Sequence, residues 1–221
     1  MSPREQVLPP LYFVLDLAAA RRYEVEPVEA ARAFLSVGGR MISLRSKGID
    51  DGSALAVGRE VAALMHSVGG LMIVHGRPDL AWLLDADGVH LPARGLGARE
   101  VRQILGRDFL IGRSCHDADE ARKADREGLA WITLSPVFES LSKPGYAPTL
   151  SLQDVGSITS EVEPAVYALG GVTPERVAEC QRVGVDGVAV VGAILGASNP
   201  AVATQELLNA VGAASPERTI C

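Results

Sequence analysis

Short apolar runs recur along the chain, and each is about as long as one β-strand. The first run, 11–15, follows two prolines and ends before Asp16. A continuous apolar run of this length is typical of a parallel strand that is buried on both faces. The other predicted strands are 41–45, 71–75, 87–91, 109–113, 130–134, 165–169 and 187–191. The chain is therefore predicted to contain eight buried strands.

Most of the segments between these runs have the periodicity of helices. Val28, Ala31 and Phe34 fall on one helical face of the segment before the second strand, and two glycines follow that segment. Residues 51–68 show a longer helical pattern that also ends at two glycines. Repeated alternation of strands and helices predicts right-handed crossovers and a parallel sheet.

Eight strand–helix repeats predict a single-domain α/β protein with a (β/α)8 TIM barrel fold. The barrel is expected to cover residues 11–212, between a flexible N-terminal lead-in (1–10) and a flexible tail (213–221). An open doubly wound sheet is the alternative. Such sheets usually bind dinucleotides through a GxGxxG fingerprint after the first strand, and this sequence lacks that fingerprint.

Composition and charge narrow the classes of function. The 221 residues are 48% hydrophobic but only 5% aromatic, which fits an aliphatic sheet covered by helices. A formal net charge of −6 gives no electrostatic basis for binding nucleic acid or an anionic membrane. No apolar run has the length of a transmembrane helix or the form of a signal peptide. A small-molecule ligand is therefore expected, and homo-oligomer formation is left open.

The three cysteines, Cys115, Cys180 and Cys221, show no metal-ligand spacing. Their odd number and wide separation are typical of a reduced cytoplasmic protein. Cys115 next to His116 also suggests a thiolate nucleophile. Adjacent residues of an extended segment point to opposite sides, however, so at most one of the two is expected to face a cavity.

Polar residues gather just after the predicted strands. In a barrel these strand ends share one face, and this face carries the chemistry of such enzymes. The residues predicted to bind substrate there are Arg45, Lys47, His75, Arg77, His90, Ser114, Ser135 and Lys143. Two alternatives remain open: Arg45 and Lys47 as solvated charges at a strand end, and His90 as a packed core histidine.

The connections after the fifth and sixth strands carry further candidate chemistry. His116 precedes an acidic helix start, and an imidazole can take up and release a proton near neutral pH. His116 is therefore the predicted proton-transfer residue, with helix capping as the alternative. The connection 135–148 is long and has Lys143 as its only cation, so it is predicted to be a lid over an anionic substrate.

Two glycine turns after the last two strands predict a phosphate site. Each turn opens a helix, where unpaired N–H groups and the helix dipole favour an anion. The alternative is that the glycines have only a structural role, because they permit the backbone conformations of tight turns. The predicted phosphate-binding residues are Gly170, Gly171, Val191, Gly192 and Ala193.

Six motifs follow one another in a diagnostic order. They are Arg-Ser-Lys at 45–47, Asp-Gly-Val-His-Leu at 87–91, Ile-Gly-Arg-Ser-Cys-His at 111–116, Pro-Val-Phe at 136–138 with Ser-Lys-Pro-Gly at 142–145, Leu-Gly-Gly-Val-Thr-Pro at 169–174 and Asp-Gly-Val-Ala-Val-Val at 186–191. Together they resemble the motifs of the thiamine phosphate synthase and thiazole tautomerase superfamily over nearly the whole chain. The resemblance implies a (β/α)8 barrel that acts on a thiazole phosphate.

The two branches of this superfamily differ in their use of metal. The synthase branch joins hydroxymethylpyrimidine diphosphate to thiazole phosphate and holds Mg²⁺ on two aspartates. The matching positions here are Gly76 and Gly95, which have no carboxylate. The tautomerase branch needs no metal, and this chain is similar to it in Gly-Arg after the third strand, Leu-Pro after the fourth and Gly-Arg-Ser-x-His after the fifth.

The resemblance therefore implies a thiazole tautomerase-like isomerase as the expected function. This enzyme would aromatise a carboxythiazole phosphate by metal-independent proton transfer, with His116 as its catalytic residue and no cofactor. One alternative is a thiamine phosphate synthase, for which Mg²⁺ would be the cofactor. A second alternative is a non-catalytic protein that binds thiamine precursors.

Overall fold

Eight parallel strands close into a barrel in chain order in the computed structural model, which describes residues 8–106, 109–139 and 150–213. The strands are β1 (Leu11–Asp16), β2 (Met41–Arg45), β3 (Leu71–His75), β4 (Gly88–Leu91), β5 (Leu110–Cys115), β6 (Trp131–Leu134), β7 (Ala165–Leu169) and β8 (Gly187–Val190). Closure is complete because β1 pairs with β8 as well as with β2. The predicted (β/α)8 TIM barrel is confirmed.

Helices follow the strands and cover the outside of the barrel. They are α1 (Leu17–Arg22), α2 (Pro27–Ser36), α3 (Asp51–Ser67), α4 (Pro78–Leu83), α5 (Ala98–Leu105), α6 (Ala118–Arg126), α7 (Leu152–Glu161), α8 (Pro174–Arg182), α9 (Gly192–Leu195) and α10 (Pro200–Gly212). Two short helices, α1 and α9, come directly after β1 and β8. Across the described residues, no helix combines the length and the apolar character needed to cross a membrane.

The largest difference from the predicted strands is at the end of β5. The sequence predicted an end at 113, but Ser114 and Cys115 continue the strand by pairing with Thr133 and Leu134 of β6. The prediction followed the apolar run, whereas the strand ends where its ladder with β6 ends. Ser114 therefore lies within the barrel wall and not in a loop.

The chain is held against the N-terminal end of the barrel from Pro9 onward. The carbonyl oxygen of Pro9 accepts a hydrogen bond of 2.8 Å from the Tyr167 hydroxyl, and that of Pro10 accepts one of 2.9 Å from the N–H of Val188. Most of the predicted lead-in and tail, namely residues 1–7 and 214–221, lies outside the described residues.

Two apolar layers result from the alternation of side chains along the strands. One layer packs between barrel and helices and includes Phe13, Leu44 and Phe34. The other fills the barrel and includes the aromatic side chains of Tyr12, Trp131 and Tyr167. Removing such a side chain from water contributes on the order of 1.5–3 kcal/mol. Because the interior is filled, a ligand has to bind at a rim.

We expect Gly112→Ala to destabilise the barrel by roughly 1–3 kcal/mol, because the interior has no room for an added methyl group. A Cβ at Gly112 would lie 2.0 Å from Cε2 of the Trp131 indole. The free energy of unfolding from urea denaturation checks this prediction. The matched control is Gly212→Ala near the end of α10, where a Cβ meets no atom within 4 Å. Equal stability of the two variants would contradict the close packing at Gly112.

Candidate active site at the mouth of the barrel

The C-terminal ends of the strands form one rim, called here the mouth of the barrel. Asp16, Arg45 and His75 are the last residues of β1, β2 and β3. His90 and Ser114 are the second-to-last residues of β4 and β5. Asp16 and four of the residues predicted to bind substrate therefore come together on adjacent strands, as parallel pairing requires.

Arg45 is held by an ion pair across the first two strands. Its Nη1 donates to Oδ2 of Asp16, the residue directly opposite in the register of β1 and β2. The other carboxylate oxygen of Asp16 accepts from the N–H of Ala19, at 2.9 Å, and so caps α1. Lys47 lies two residues further on and is exposed. The mouth thus has one oriented guanidinium and one exposed ammonium on the same side.

Arg77 lies at the start of α4 and is engaged by two carboxylates. Its guanidinium donates to Asp79, at 2.6 and 2.9 Å, and to Asp51 of α3, at 2.7 Å. These contacts raise the pKa of Arg77 further above its ordinary value, and Arg77 lowers the pKa of Asp79. The structure therefore places this predicted substrate-binding residue in ion pairs that join α3 to α4.

His90 is a buried histidine of the barrel interior. It is 1% exposed, and its ring centroid lies 4.8 Å from that of His75 on β3. Its Nδ1 accepts from the indole N–H of Trp131, and its Nε2 contacts Ser114 Oγ, both at 3.0 Å. Burial lowers the pKa of His90 well below its ordinary value, and the nearby His75 and Arg113 act in the same direction. The surroundings of His90 are therefore those of a packed core histidine, the alternative considered from the sequence.

His116 follows β5 at the mouth and is exposed. Its Nδ1 lies 2.7 Å from the carbonyl oxygen of Ser135, which can only accept, so Nδ1 carries a proton. In the neutral ring Nε2 is then the unprotonated nitrogen. The cap of α6 is Asp117, which accepts from the N–H of Glu120 at 2.8 Å. His116 is therefore fixed beside Ser135 and is not itself the helix cap.

Cys115 has no access to the mouth. Its side chain is fully buried in the layer between barrel and helices. Burial, with a smaller effect of the Glu120 carboxylate, raises the pKa of the Cys115 thiol to about 12. The residue is a thiol at neutral pH, so the structure argues against the thiolate nucleophile that the sequence had left open.

The first predicted phosphate turn packs against the connection after β6. Gly170 and Gly171 have φ values of 99° and 63°, which favour glycine. The carbonyl oxygens of Leu169 and Gly170 accept from the N–H groups of Val137 and Phe138, both at 3.0 Å. This leaves room for no side chain at Gly171, whose Cβ would lie 2.4 Å from the carbonyl oxygen of Glu139. The turn is thus built from backbone.

The second predicted phosphate turn, Val191 to Ala193, opens α9. No hydrogen bond joins the N–H groups of Gly171, Gly192 or Ala193 to another residue in the described part of the chain. The hydroxyl group of Tyr23, at the end of α1, lies 3.1 Å from where a Cβ of Gly192 would be. Tyr23 was missed by the sequence analysis because no local pattern connects α1 with α9.

Lys143 and the positions that match the synthase metal site add no side chains to the described part of the mouth. Lys143, with most of the predicted lid, falls in 140–149, outside the described residues. The positions that match metal-binding aspartates are Gly76 and Gly95, which offer no side-chain oxygen. Among the described residues, no group of three or more histidine, cysteine, aspartate or glutamate side chains could hold a metal ion. These residues do not fit a Mg²⁺ site of the synthase type.

The depressed pKa of His90 predicts a loss of stability on acidification. Below about pH 6.5 the unfolded chain binds a proton at this position and the folded chain does not, so the free energy of unfolding falls as the pH falls. The slope from this one group is at most about 1.4 kcal/mol per pH unit. Urea denaturation between pH 7.5 and 5.5 measures it, and His90→Gln should flatten the profile. Parallel profiles for both proteins would contradict the burial of a neutral His90.

Known proteins with similar sequences share most of this barrel. Residues 11–194 match the model of the family described as thiamine monophosphate synthase. A thiamine-phosphate synthase of Roseiflexus castenholzii is 32% identical over 197 residues, which are 89% of this chain and 86% of that protein. A thiamine-phosphate synthase of Anaeromyxobacter dehalogenans is 36% identical over 182 residues, 82% of each chain. A thiamine phosphate pyrophosphorylase structure from Pyrococcus furiosus superposes with a TM-score of 0.84 and 29% identity, covering 96% of this chain and 98% of that one.

These relatives contradict the expected isomerase. Proteins similar over most of the chain are named thiamine-phosphate synthase, so the prediction of a thiazole tautomerase is wrong and the alternative of a synthase is better supported. The isomerase prediction depended on three short loop motifs, whereas these matches extend through the whole barrel. The resemblance to the superfamily is confirmed. The chain belongs to the thiamine monophosphate synthase family, a family of enzymes of thiamine biosynthesis.

Proposed function

We propose that this protein is a thiamine-phosphate synthase, a transferase that joins hydroxymethylpyrimidine diphosphate and thiazole phosphate. The observation that carries the proposal is 32–36% identity over 82–89% of the chain with proteins of that name. The arrangement of charge at the mouth is compatible with two phosphorylated substrates. In the reaction the thiazole nitrogen forms a bond to the methylene carbon of the pyrimidine, and the bond from that carbon to oxygen breaks. Diphosphate leaves with the electron pair.

The developing negative charge on diphosphate is the main electrostatic demand of this reaction. Arg45 and Lys47 lie on the β2 side of the mouth and supply two cationic groups for it. Asp16 orients Arg45 through a partly buried ion pair, so little reorganisation of the guanidinium is needed during the reaction. The hydroxyl group of Ser114, across the mouth on β5, is a neutral donor for the same anion.

The phosphate group of the thiazole substrate is assigned to the two glycine turns. Unpaired N–H groups at Gly171, Gly192 and Ala193 are donors that a phosphate needs, and Gly192 has no side chain to hinder close approach. In this proposal the thiazole ring extends from the turns toward the barrel axis. The nitrogen nucleophile then faces the pyrimidine methylene carbon across the mouth.

His116 is assigned to the leaving group in this proposal. Its Nδ1 is occupied by the Ser135 carbonyl oxygen, so only Nε2 can exchange a proton with a ligand. A proton on Nε2 would pass to a diphosphate oxygen as the bond from carbon to oxygen breaks. The proposed role therefore remains proton transfer at the residue that the sequence singled out.

Gly76 and Gly95 have no side-chain oxygen to hold Mg²⁺, and we propose a reaction that does not depend on a metal held at these two positions. We expect purified protein, incubated with both substrates and excess EDTA, to release thiamine phosphate and diphosphate at a rate within a few-fold of that without EDTA. Chromatography of both products measures this rate. A requirement for added Mg²⁺ would contradict metal independence while still supporting the transferase.

Two outcomes of the same assay would reject the transferase. If both substrates bind but neither product forms under any metal condition, the protein is the precursor-binding protein of the second alternative. Conversion of one substrate to a species without diphosphate release would also exclude a synthase. Isothermal titration of each substrate separates binding from turnover, and Arg45→Met, which removes a proposed diphosphate contact, serves as a low-activity comparison.

We expect Gly192→Val to weaken binding of thiazole phosphate about 10–100-fold, since lost contacts to a charged group are typically worth about 1.5–3 kcal/mol. A Cβ at this position already approaches the Tyr23 hydroxyl to 3.1 Å, and the larger side chain would fill the space above the turn. Isothermal titration calorimetry measures the affinity. The unphosphorylated thiazole alcohol is the control ligand, and an equal loss of its affinity would place the phosphate elsewhere.

A further inference from the structure

A chain of three hydrogen-bonded side chains runs inside the barrel from β6 through β4 to β5. The indole Nε1 of Trp131 lies 3.0 Å from His90 Nδ1, and His90 Nε2 lies 3.0 Å from Ser114 Oγ. Thr133 Oγ1 makes a second, longer contact of 3.5 Å to the same Nε2. Trp131 is completely buried, whereas Ser114 is only half-buried at the mouth. The chain therefore links the core to the ligand side of the barrel.

The chemistry of the indole determines the direction of these hydrogen bonds. An indole nitrogen carries a proton and can only donate. Nδ1 of His90 is therefore the acceptor and has no proton of its own. A neutral imidazole has one N–H group, which must then be at Nε2 and donate to Ser114 Oγ.

The neutral state of His90 follows from its surroundings. The ring is buried beside His75, and desolvation lowers the pKa of His90 well below its ordinary value. A proton on Nδ1 would also deprive the buried indole N–H of Trp131 of its acceptor. Leaving a buried donor without an acceptor is unfavourable, and this disfavours both the cation and the opposite tautomer.

Ser114 receives the hydrogen bond from His90 and must direct its own proton elsewhere. Within the described part of the chain, its hydroxyl group has a hydrogen bond only with His90. The proton is therefore available to an acceptor at the mouth. The opposite tautomer of His90 would accept from Ser114, and the hydroxyl group would then offer only lone pairs, which repel an anion.

We propose that Trp131 is a positioning residue that acts through His90: its indole N–H holds the Nε2–H tautomer and thereby makes Ser114 a hydrogen-bond donor to the anionic leaving group. The identity of that group as diphosphate rests on the proposed function. The absence of a side chain at Gly112 makes this hydrogen bond possible. The indole occupies the place of a side chain on Gly112, its partner in the β5–β6 register, and so reaches His90 across β5.

The first test replaces the indole N–H without changing the shape of the ring. Trp131 is substituted by β-(3-benzothienyl)alanine, in which sulfur stands in place of the N–H group, in a Trp82→Phe background that removes the other tryptophan. Nitrogen-15 NMR of the four histidines reports their tautomers, and the signals missing from His90→Gln identify His90. We expect the Nε2–H tautomer in the unsubstituted protein and a substantial Nδ1–H population in the analogue. An Nδ1–H tautomer before substitution, or no change after it, would overturn the proposal.

The second test measures binding of inorganic diphosphate by titration calorimetry in a double-mutant cycle. The analogue at Trp131 should weaken binding about tenfold when Ser114 is present, since a charged hydrogen bond is lost. In Ser114→Ala the same analogue should change affinity less than twofold, because there is no hydroxyl group to orient. Equal losses in both backgrounds would show a merely structural role for Trp131 and overturn the proposal.

Tyr167→Phe is the matched control for both measurements. It removes another buried aromatic donor of the barrel interior, but its hydroxyl group bonds to Pro9 at the far end of the barrel. The His90 tautomer and the diphosphate affinity should stay unchanged in this variant. Neither measurement needs turnover. A protein that makes no thiamine phosphate would therefore contradict the proposed function without contradicting the role of Trp131. Absence of any diphosphate binding to the unsubstituted protein would overturn the role of Ser114 proposed here.

Discussion

Closure of the barrel through the pairing of β8 with β1 is the constraint on which the site depends. All eight strands are parallel, so closure brings their C-terminal ends to one rim. The turn after β8 then lies beside α1, where the hydroxyl group of Tyr23 approaches Gly192. Residues far apart in the sequence thus form one surface, and the packed interior leaves this rim as the place for a ligand.

His90 is tolerated inside the barrel because both of its ring nitrogens have hydrogen-bonding partners. His90 would be costly to bury alone, since an unpaired polar group in the interior loses its hydrogen bonds to water. Trp131 and Ser114 satisfy both of its ring nitrogens, and the indole fits because Gly112 has no side chain. Stability and the orientation of a group at the mouth therefore depend on the same contacts.

The mouth has side chains suited to phosphorylated ligands but lacks the carboxylates of the synthase metal site. In the proposed function, Arg45, Lys47, Ser114 and the glycine turns bind the phosphorylated substrates. Gly76 and Gly95 remove the carboxylates that would hold a hard cation, and Arg77 is neutralised by Asp51 and Asp79. Because these loop positions lack metal-binding carboxylates, the short loop motifs favoured an isomerase. Similarity over the whole chain favours a transferase.

The sequence by itself determined the barrel, because eight apolar runs of strand length alternating with helical periods are a local signal. It also identified the glycine turns and the polar residues after the strands. The tertiary structure decided the partners: the carboxylate that orients Arg45, the hydroxyl of Tyr23 beside Gly192, and the carbonyl that holds His116. In the sequence Trp131 resembles any apolar strand residue, and only the tertiary structure shows its indole passing Gly112 to donate a hydrogen bond to His90. Such contacts join residues from separate strands and helices, and no local periodicity encodes them.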